Sequence, residues 1–507
     1  MKLFASIYIG SYETTLKIYE IGKSKGLREI DCMKMQSDVI RDIISTGAIS
    51  FETTDRLCKV LNDMKKTMES YRVDGYSVYV GPNIRQAANE LFVLEQIKLK
   101  CGLTAQVISN SEQRFLGYEA IASLDDFDEM ISESAVLIDA GGMTLQITLF
   151  SKGKIITTQH LNIGTVSVGD YIRKLGSDSD SFDQTYEMMY KEIDIFKTMF
   201  LQELQPKYMI LLGDQISTVA ERVADFGQKR YKAEEYLAFL KKINKNFVRS
   251  LEAKYDMDLD NENILEPFVM LHRAIAETFS PKYVIAPGLS VTEGIAYDYC
   301  YKNKWLTSNH DFEADVVSAA WSIAKRYASY QPHLKTLVKL SLQIFDSTKK
   351  YHGLSKRERL LMEATAILND CGKYISIGEA ADCSYAIVMA SEILGLSHKE
   401  REMIATTVSM TRKSLEAYDE YSDRFTPSEY IVMVKMLAIL KVANALDRSH
   451  KQKLKNVSMK VKGHELLIEI EASASIALEK GLFSKNADFF EQIFSIRPVL
   501  KEKNVLI

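Results

Sequence analysis

A strand, a glycine turn and a returning strand occur twice in this sequence, and this repeat constrains the fold more than any other feature. The apolar run 3–9 leads into Gly10, and an amphipathic run returns at 18–21. The run 135–139 leads into a turn at 140–142 and returns at 145–150. Two such units, each followed by alternating helices and strands, predict an α/β class with two similar halves facing one cleft across residues 1–305.

Hydrophobic periodicity predicts the other elements of this region. Helices are expected at 53–70, 84–99, 112–123, 181–203, 215–225, 232–248 and 265–279. Strands are expected at 76–80, 107–109, 208–212 and 282–286.

From about residue 310 the periodicity becomes helical throughout. Helices are expected at 312–330, 333–350, 355–369, 379–394, 398–414 and 427–446, then a hairpin at 457–470 and a last helix near 485–493. The predicted domains are therefore two α/β subdomains at 1–125 and 126–308, an all-helical domain at 309–452 and a small α+β element at 453–507.

Composition limits the classes of partner. The net charge of −4 and the pI near 6.2 give no overall attraction to nucleic acid or to an anionic membrane. The six cysteines are scattered without a CxxC pair, which is typical of a reducing compartment. No signal peptide or membrane-spanning run is evident. We therefore expect a cytoplasmic protein that contacts neither nucleic acid nor membrane.

Glycine turns between strands suit phosphate, because backbone N–H groups reach its oxygens where no Cβ intrudes. Arg85 follows Gly81 and Pro82 and could bind phosphate with two hydrogen bonds. Asp139 ends a buried strand, so its carboxylate is expected in the cleft. Gly164 and Ser167 offer an amide and a hydroxyl to an anion.

Five segments, in their order and spacing, resemble the exopolyphosphatase/guanosine-pentaphosphate phosphatase (Ppx/GppA) family. They are Ile7–Tyr12 at the first phosphate loop, Ile84–Asn89 at an Arg-containing helix start, Ile108–Arg114 at the catalytic segment, Asp139–Thr144 at the second loop and Asn162–Ser167 at a substrate loop. The resemblance covers nearly the whole chain.

The resemblance implies duplicated actin/hexokinase-like domains (the ribonuclease H-like, ASKHA architecture) followed by a helical HD-like domain. It also implies Mg²⁺ as cofactor, polyphosphate or guanosine tetra- or pentaphosphate as ligand, and a homodimer through the helical domains. Asp139 is then the metal residue. The implied phosphate-binding residues are Gly10, Ser11, Arg85, Gly141, Gly142, Thr144, Gly164 and Ser167.

The sequence departs from the family at positions that carry the chemistry. The acid of the first loop is Tyr8, and the acid that closes the second loop falls on Gln146. The catalytic glutamate aligns with Gln113, although Glu112 would take this role if the register shifts by one. Met143 replaces a loop glycine, and a later Gly-Thr turn reads Gly213-Asp214-Gln215. A general base contributes roughly 10²–10⁴-fold, so these losses predict weakened or absent hydrolysis.

In the helical part, the resemblance to His-Asp phosphohydrolases places the first histidine at His333 and the His-Asp pair at Asn369-Asp370. Later histidine positions fall on Cys383 and Thr411, and the final acid is Asp447. Asn369 and Thr411 are poor ligands for transition metals, so no working metal centre of that type is predicted.

Two basic clusters are either landing sites for a polyanion or ordinary solvated surfaces. One comprises Arg448, His450, Lys451, Lys453 and Lys455, and the other Lys349, Lys350, His352, Lys356, Arg357 and Arg359.

Three functional hypotheses remain open. The leading one is a phosphate-binding member of the family with weakened or lost hydrolysis. The second is an active Mg²⁺-dependent phosphohydrolase that uses rewired carboxylates such as Glu13 and Glu112. The third is a structural or partner-binding protein without a phosphate ligand. A sugar or acetate kinase is less favoured, because the adenosine-binding glycine turns of those enzymes are not evident.

Overall fold

The computed structural model places residues 1–311 and residues 312–507 in two separate units. It describes residues 2–10, 13–22, 26–37, 39–175, 179–213, 230–242, 262–413 and 415–502. The predicted helix at 215–225 and the last residues of the one at 232–248 lie outside this range.

The first unit begins with a five-stranded sheet in the order β3-β2-β1-β4-β5. Its strands are β1 (Lys2–Ile9), β2 (Glu13–Gly22), β3 (Gly26–Gln36), β4 (Gly75–Val80) and β5 (Gln106–Val107). Its helices are α1 (Val39–Thr46), α2 (Phe51–Tyr71), α3 (Glu90–Cys101), α4 (Asn110–Ala122) and α5 (Phe127–Glu133). β1 pairs antiparallel with β2 and parallel with β4, as a strand–turn–strand unit followed by a helical crossover requires.

A second sheet follows, with six strands in the order β10-β11-β9-β6-β7-β8. The strands are β6 (Ser134–Ala140), β7 (Leu145–Ser151), β8 (Lys154–Leu161), β9 (Tyr208–Leu212), β10 (Arg230–Lys232) and β11 (Tyr283–Ile285). The helices are α6 (Thr165–Leu175), α7 (Ser179–Phe196), α8 (Ala233–Lys242), α9 (Glu262–Phe279) and α10 (Val291–Lys302). β6 and β7 repeat the antiparallel pairing of β1 and β2, and the two mixed α/β sheets fit the expected actin-like fold.

The predicted helix at 84–99 is wrong in its first six residues. Residues Pro82–Gln86 form a 3-10 turn, and α3 begins only at Glu90. The Asn89 side chain explains the break, because its Oδ1 accepts from the Ile49 N–H at 2.9 Å and its Nδ2 donates to the Ile49 carbonyl at 2.8 Å. These two bonds hold the backbone before α3 in a non-helical conformation.

Strands β3, β8 and β10 were not predicted. β3 is an edge strand with charged residues such as Arg28 and Lys34, and these residues obscure the alternation of apolar and polar side chains that predicts a strand. The predicted helix at 181–203 ends earlier, because α7 stops at Phe196 and a π-helical turn, Lys197–Leu201, follows.

A buried ion pair links the first sheet to the last helix of this unit. Lys17 on β2 donates to Glu293 on α10 at 2.6 Å, and the Tyr19 hydroxyl donates to the same carboxylate at 3.0 Å. Lys17 and Glu293 are each 5% exposed. A charge buried to this extent is stable only with its partner, so the contact fixes β2 against α10.

The second unit contains helices followed by a three-stranded sheet, β12-β13-β14. The helices are α11 (Phe312–Arg326), α12 (Gln331–Ser347), α13 (Lys349–His352), α14 (Lys356–Leu368), α15 (Ala380–Ala390), α16 (His398–Met410), α17 (Pro427–Ala445) and α18 (Ala477–Phe494). The strands are β12 (Leu454–Lys462), β13 (Glu465–Ala472) and β14 (Arg497–Glu502). Among the described residues, no helix is long and apolar enough to cross a membrane.

Candidate functional site

Tyr8 stands at the end of β1, where the family resemblance expects an acid. A Cβ on Gly81 would lie 2.7 Å from the Tyr8 hydroxyl, and one on Gly10 would lie 3.3 Å from Tyr8 Cε1. The phenol ring therefore lies against both glycines at the ends of β1 and β4. It occupies space that a small acid such as aspartate would leave open.

A row of polar side chains crosses the second sheet at the matching strand end. Asp139 on β6 is directly opposite Gln146 on β7, which is directly opposite His160 on β8. Residues directly opposite on antiparallel strands project from the same face, so the three side chains are neighbours. Gln146 is 4% exposed, and its Oε1 has no hydrogen-bond partner among the residues that the structure describes.

The two strand ends face each other, as the repeated unit predicted. Burial raises the pKa of the Tyr8 phenol, and the negative charge of Asp139 raises it further. Burial also raises the pKa of the Asp139 carboxyl, while the positive charges of Arg114 and His160 lower it. Asp139 thus has a phenol and two basic groups as its electrostatic neighbours.

This environment does not fit Mg²⁺ at Asp139. Magnesium takes six hard oxygen ligands, usually several waters with one or two carboxylates and substrate phosphates. Gln146 and Tyr8 replace the nearby acids, and the charged groups that act on Asp139 are basic. We therefore derive no step through a magnesium ion.

The second glycine loop caps the helix that follows β8. The Gly141 carbonyl accepts from the Thr165 N–H at 3.1 Å, and the Gly142 carbonyl accepts from the Val166 N–H at 2.7 Å. A Cβ on Gly164 would lie 2.4 Å from the Gly142 oxygen, so only glycine permits this approach. The first turn of α6 is therefore already satisfied by the loop.

This arrangement bears directly on two predicted phosphate ligands. The Gly164 N–H donates to the Ser167 hydroxyl at 2.7 Å, so both groups are engaged with each other. An anion would have to displace this bond. The amides of Gly142 and Met143 donate no hydrogen bond within the described part of the chain, which leaves them as the available donors of this loop.

Glu112 and Gln113, the two predicted base positions, lie in the first turn of α4. The Glu112 carboxylate accepts from the Ser109 N–H at 2.7 Å, and the Ser109 hydroxyl accepts from the Glu112 N–H at 3.2 Å. These reciprocal bonds form a capping box, in which the Glu112 carboxylate is held at the N-terminus of α4. Arg114 follows Glu112 by two residues on α4, and its positive charge lowers the pKa of Asp139.

Arg85 lies in the 3-10 turn after β4 and is exposed. Its Nη2 donates to the Val107 carbonyl at 3.3 Å, and no carboxylate pairs with it among the described residues. Val107 ends β5, shortly before the N-terminus of α4. Arg85 therefore offers an unneutralised guanidinium beside the strand ends.

The structure brings together Tyr8, Asp139 and Gln146, but the sequence analysis missed Arg114 and His160 as their neighbours. His160 was missed because β8 was not predicted, and its register alone places it beside Gln146. Arg114 appears in the quoted catalytic segment, and its position two residues after the capping Glu112 was the available signal. Ser11 and the Asp214-Gln215 turn lie outside the described residues.

The two basic clusters are partly neutralised. In the second cluster, His352 is buried, Arg357 pairs with Glu400 and Arg359 pairs with Asp346. In the first cluster, Lys453 pairs with Glu479 at 3.2 Å. These four of the eleven members are thus in ion pairs or in the core, and the polyanion surfaces expected there are smaller by that number.

With this geometry established, the sequence can be compared with known proteins. It matches the Ppx/GppA phosphatase family over residues 33–303, more than half of the chain, and domain III of Ppx/GppA phosphatases over residues 318–486. The chain belongs to the Ppx/GppA phosphatase family. The expected family resemblance is confirmed.

Individual relatives of this Ppx/GppA family member are distant. A curated bifunctional 3-dehydroquinate synthase/phosphatase of Fusobacterium nucleatum is 21% identical over 176 residues, 33% of this chain and 26% of that protein. The chain thus spans about a quarter of that relative's length.

Two solved structures align with this chain at similarly low sequence identity. A Ppx/GppA family member from Aquifex aeolicus is 18% identical, with 61% of this chain and 99% of that one covered at a TM-score of 0.48. An exopolyphosphatase from Cytophaga hutchinsonii is 15% identical, with 61% and 100% covered at a TM-score of 0.49.

Proposed function

We propose that this protein binds polyphosphate or a guanosine tetra- or pentaphosphate at the facing strand ends of residues 1–311, with weakened or lost hydrolysis. The observation that carries the proposal is the environment of Asp139. The one loop carboxylate that the sequence keeps has Tyr8, Gln146, Arg114 and His160 around it.

The basic groups support anion binding. Arg85, exposed and without a carboxylate partner among the described residues, can form charge-assisted hydrogen bonds with phosphate. Arg114 adds positive charge beside the second loop, and His160 is a basic group that is positive only when protonated. The available amides of Gly142 and Met143 complete a set of donors suited to an anion.

The lost acids support weak catalysis. Gln113 cannot accept a proton from water, and Glu112 is held by Ser109. A positioned base is worth roughly 10²–10⁴-fold, so its absence alone lowers hydrolysis strongly. Homodimer formation, which the family resemblance implied, belongs to this proposal and is checked by light scattering.

The test combines phosphate release from long-chain polyphosphate and guanosine pentaphosphate, with Mg²⁺, and an equilibrium binding titration. We expect the native protein to bind with little release. The variant Tyr8→Asp/Gln113→Glu/Gln146→Glu restores the three acids and should release phosphate at least about 10²-fold faster. Gln159→Glu is the matched control, because Gln159 precedes His160 on β8 and projects from the opposite face.

In the binding titration, Arg85→Ala should lower the affinity for the ligand roughly 10–100-fold, because a hydrogen bond to a charged group contributes about 1.5–3 kcal/mol. Arg28→Ala is the control, since Arg28 pairs with Glu20 at the far end of β2. Rapid release by the native protein would establish the active-enzyme alternative. Absence of both binding and release would overturn the proposal and favour a structural role.

A further inference from the structure

Three metal-ligating side chains come together in the second unit, and none of them belongs to the site described above. His333 lies in the first turn of α12, Asp370 follows α14, and His450 lies in the turn between α17 and β12. One ligand atom from each residue lies within 4.8 Å of the other two. For comparison, two ligand atoms on one tetrahedral zinc ion, each about 2.0–2.1 Å from it, are roughly 3.4 Å apart.

A carboxylate fixes the orientation of the His333 ring, as it does for many metal-bound histidines. Its Nδ1 lies 2.8 Å from Asp447 Oδ2. Since a carboxylate only accepts hydrogen bonds, Nδ1 carries a proton, and in the neutral ring Nε2 keeps its lone pair. A carboxylate behind the ring is the usual partner of a metal-bound histidine, because it fixes the tautomer and makes the free nitrogen more basic.

The free nitrogen of His333 is the second observation that points to a ligand. His333 is 0% exposed, and its Nε2 has no hydrogen-bond partner within the described part of the chain. A buried acceptor without a partner is costly to leave unsatisfied. A metal ion would satisfy it without another donor.

His450 is held beside this nitrogen. Its ring stacks on that of His333, with centroids 3.6 Å apart and planes 10° from parallel. Because imidazole lone pairs lie in the ring plane, the His450 ring has to tilt away from this stack before both nitrogens can reach one ion. Its backbone adopts a φ of 55°, which is unusual for a residue other than glycine, and its N–H donates to the Asp447 carbonyl at 2.9 Å. Asp447 thereby positions both histidines.

Asp370 supplies an anionic oxygen. It is 4% exposed and accepts from Lys373 at 2.5 Å, from Asn369 at 3.0 Å and from Arg412 at 3.4 Å. A carboxylate has about four acceptor sites, so it can bind an ion and keep these donors. The two cations lower the affinity of the site for a free metal ion, but they favour water or an anion as the remaining ligand.

We propose that His333, Asp370 and His450 bind one divalent transition-metal ion, with zinc as the best fit. Two imidazole nitrogens and one carboxylate suit Zn²⁺ and leave a fourth position open, whereas Mg²⁺ prefers oxygen ligands alone. The site differs from the His-Asp pattern expected from the sequence. Asn369 replaces that pattern's paired histidine, and His450, which the sequence placed in a basic cluster, supplies a nitrogen instead.

The experiment titrates the full-length protein, freed of metal by a chelator, with Zn²⁺ by calorimetry and with Co²⁺ by visible absorption. One equivalent should bind and raise the melting temperature, because only the folded state presents the three ligands. The cobalt complex should show visible ligand-field bands without the intense near-ultraviolet band of thiolate ligation. A thiolate band would overturn the assignment in favour of the cysteines.

The decisive variant is His450→Gln, because His450 is only partly buried and its loss should leave the fold intact. It should weaken Zn²⁺ binding by more than about 100-fold. Asp447→Asn removes the charge behind His333 and changes the bonds that Asp447 accepts from Gln452, and it should weaken Zn²⁺ binding roughly 10–100-fold with the stoichiometry still one. His464→Gln, in the exposed turn before β13, is the matched control and should bind like the native protein. No one-to-one binding by the native protein, or native affinity in a His450→Gln variant with a native circular dichroism spectrum, would overturn the proposal.

Discussion

Single residues decide what the facing strand ends can do. Replacing a small acid by Tyr8 removes a metal ligand and also fills space against Gly81. The sequence showed that the acid was missing, but it could not show where the phenol would lie. That position depends on the parallel pairing of β1 with β4, which brings Tyr8 opposite Tyr79 and its ring against the glycine that follows β4.

Glu119 on α4 provides a prediction about pH. It is 4% exposed, and one carboxylate oxygen has no partner among the described residues. Burial and then the charge of Asp298 raise its pKa to about 9, although Lys302 lowers it. The folded protein therefore keeps a proton that the unfolded chain releases near the ordinary carboxyl pKa of about 4.3.

We expect the free energy of unfolding to fall between pH 5 and pH 8.5, by up to about 1.4 kcal/mol per pH unit from this group alone. Glu119→Gln should remove this part of the pH dependence, because glutamine has the neutral shape without the proton. Urea denaturation across this range measures the effect. An exposed control, Glu129→Gln on α5, should retain the native slope, and equal slopes for Glu119→Gln and native protein would contradict the prediction.

Among the elements, helix α4 contains Glu112, which caps the helix and is also a candidate catalytic base. Glu112→Ala removes its capping box and should lower the free energy of unfolding by about 1 kcal/mol, whereas Glu112→Gln keeps a cap-forming side chain. If Glu112 serves only the helix, any residual phosphate release should survive in Glu112→Gln. Paired measurements of unfolding and release separate the two roles, since a stable Glu112→Gln protein without release would show that Glu112 is the base.

The success of the sequence predictions differed from element to element for physical reasons. β6 and β7 were predicted because they are buried on both faces and read as continuous apolar runs. The helices of the second unit were found because their apolar faces are periodic. β8 has no such pattern, with a polar run Thr157–His160, so His160 could not be placed beside Asp139. Likewise, no spacing in the sequence indicates that a turn after α17 returns His450 to His333.

At the scale of the whole molecule, the two units have separate hydrophobic cores. We therefore expect residues 1–311 and residues 312–507, expressed separately, each to unfold cooperatively. A fragment of residues 1–125, the first predicted subdomain, should fail to do so, because it keeps Lys17 and the exposed Glu29 but lacks the buried carboxylate of Glu293. Thermal melts of the three fragments by circular dichroism test this, and a cooperative melt of residues 1–125 would contradict it.

The contact between Lys17 and Glu293 has a consequence for protein synthesis. The two residues are 276 positions apart, and the tie forms only when the last helix of the first unit is present. During translation, the opening strands leave the ribosome long before their partner does. For that interval Lys17 has only the exposed Glu29 of β3 as a counter-ion, so the early β-strands are a segment that chaperones would be expected to hold until α10 has been synthesised.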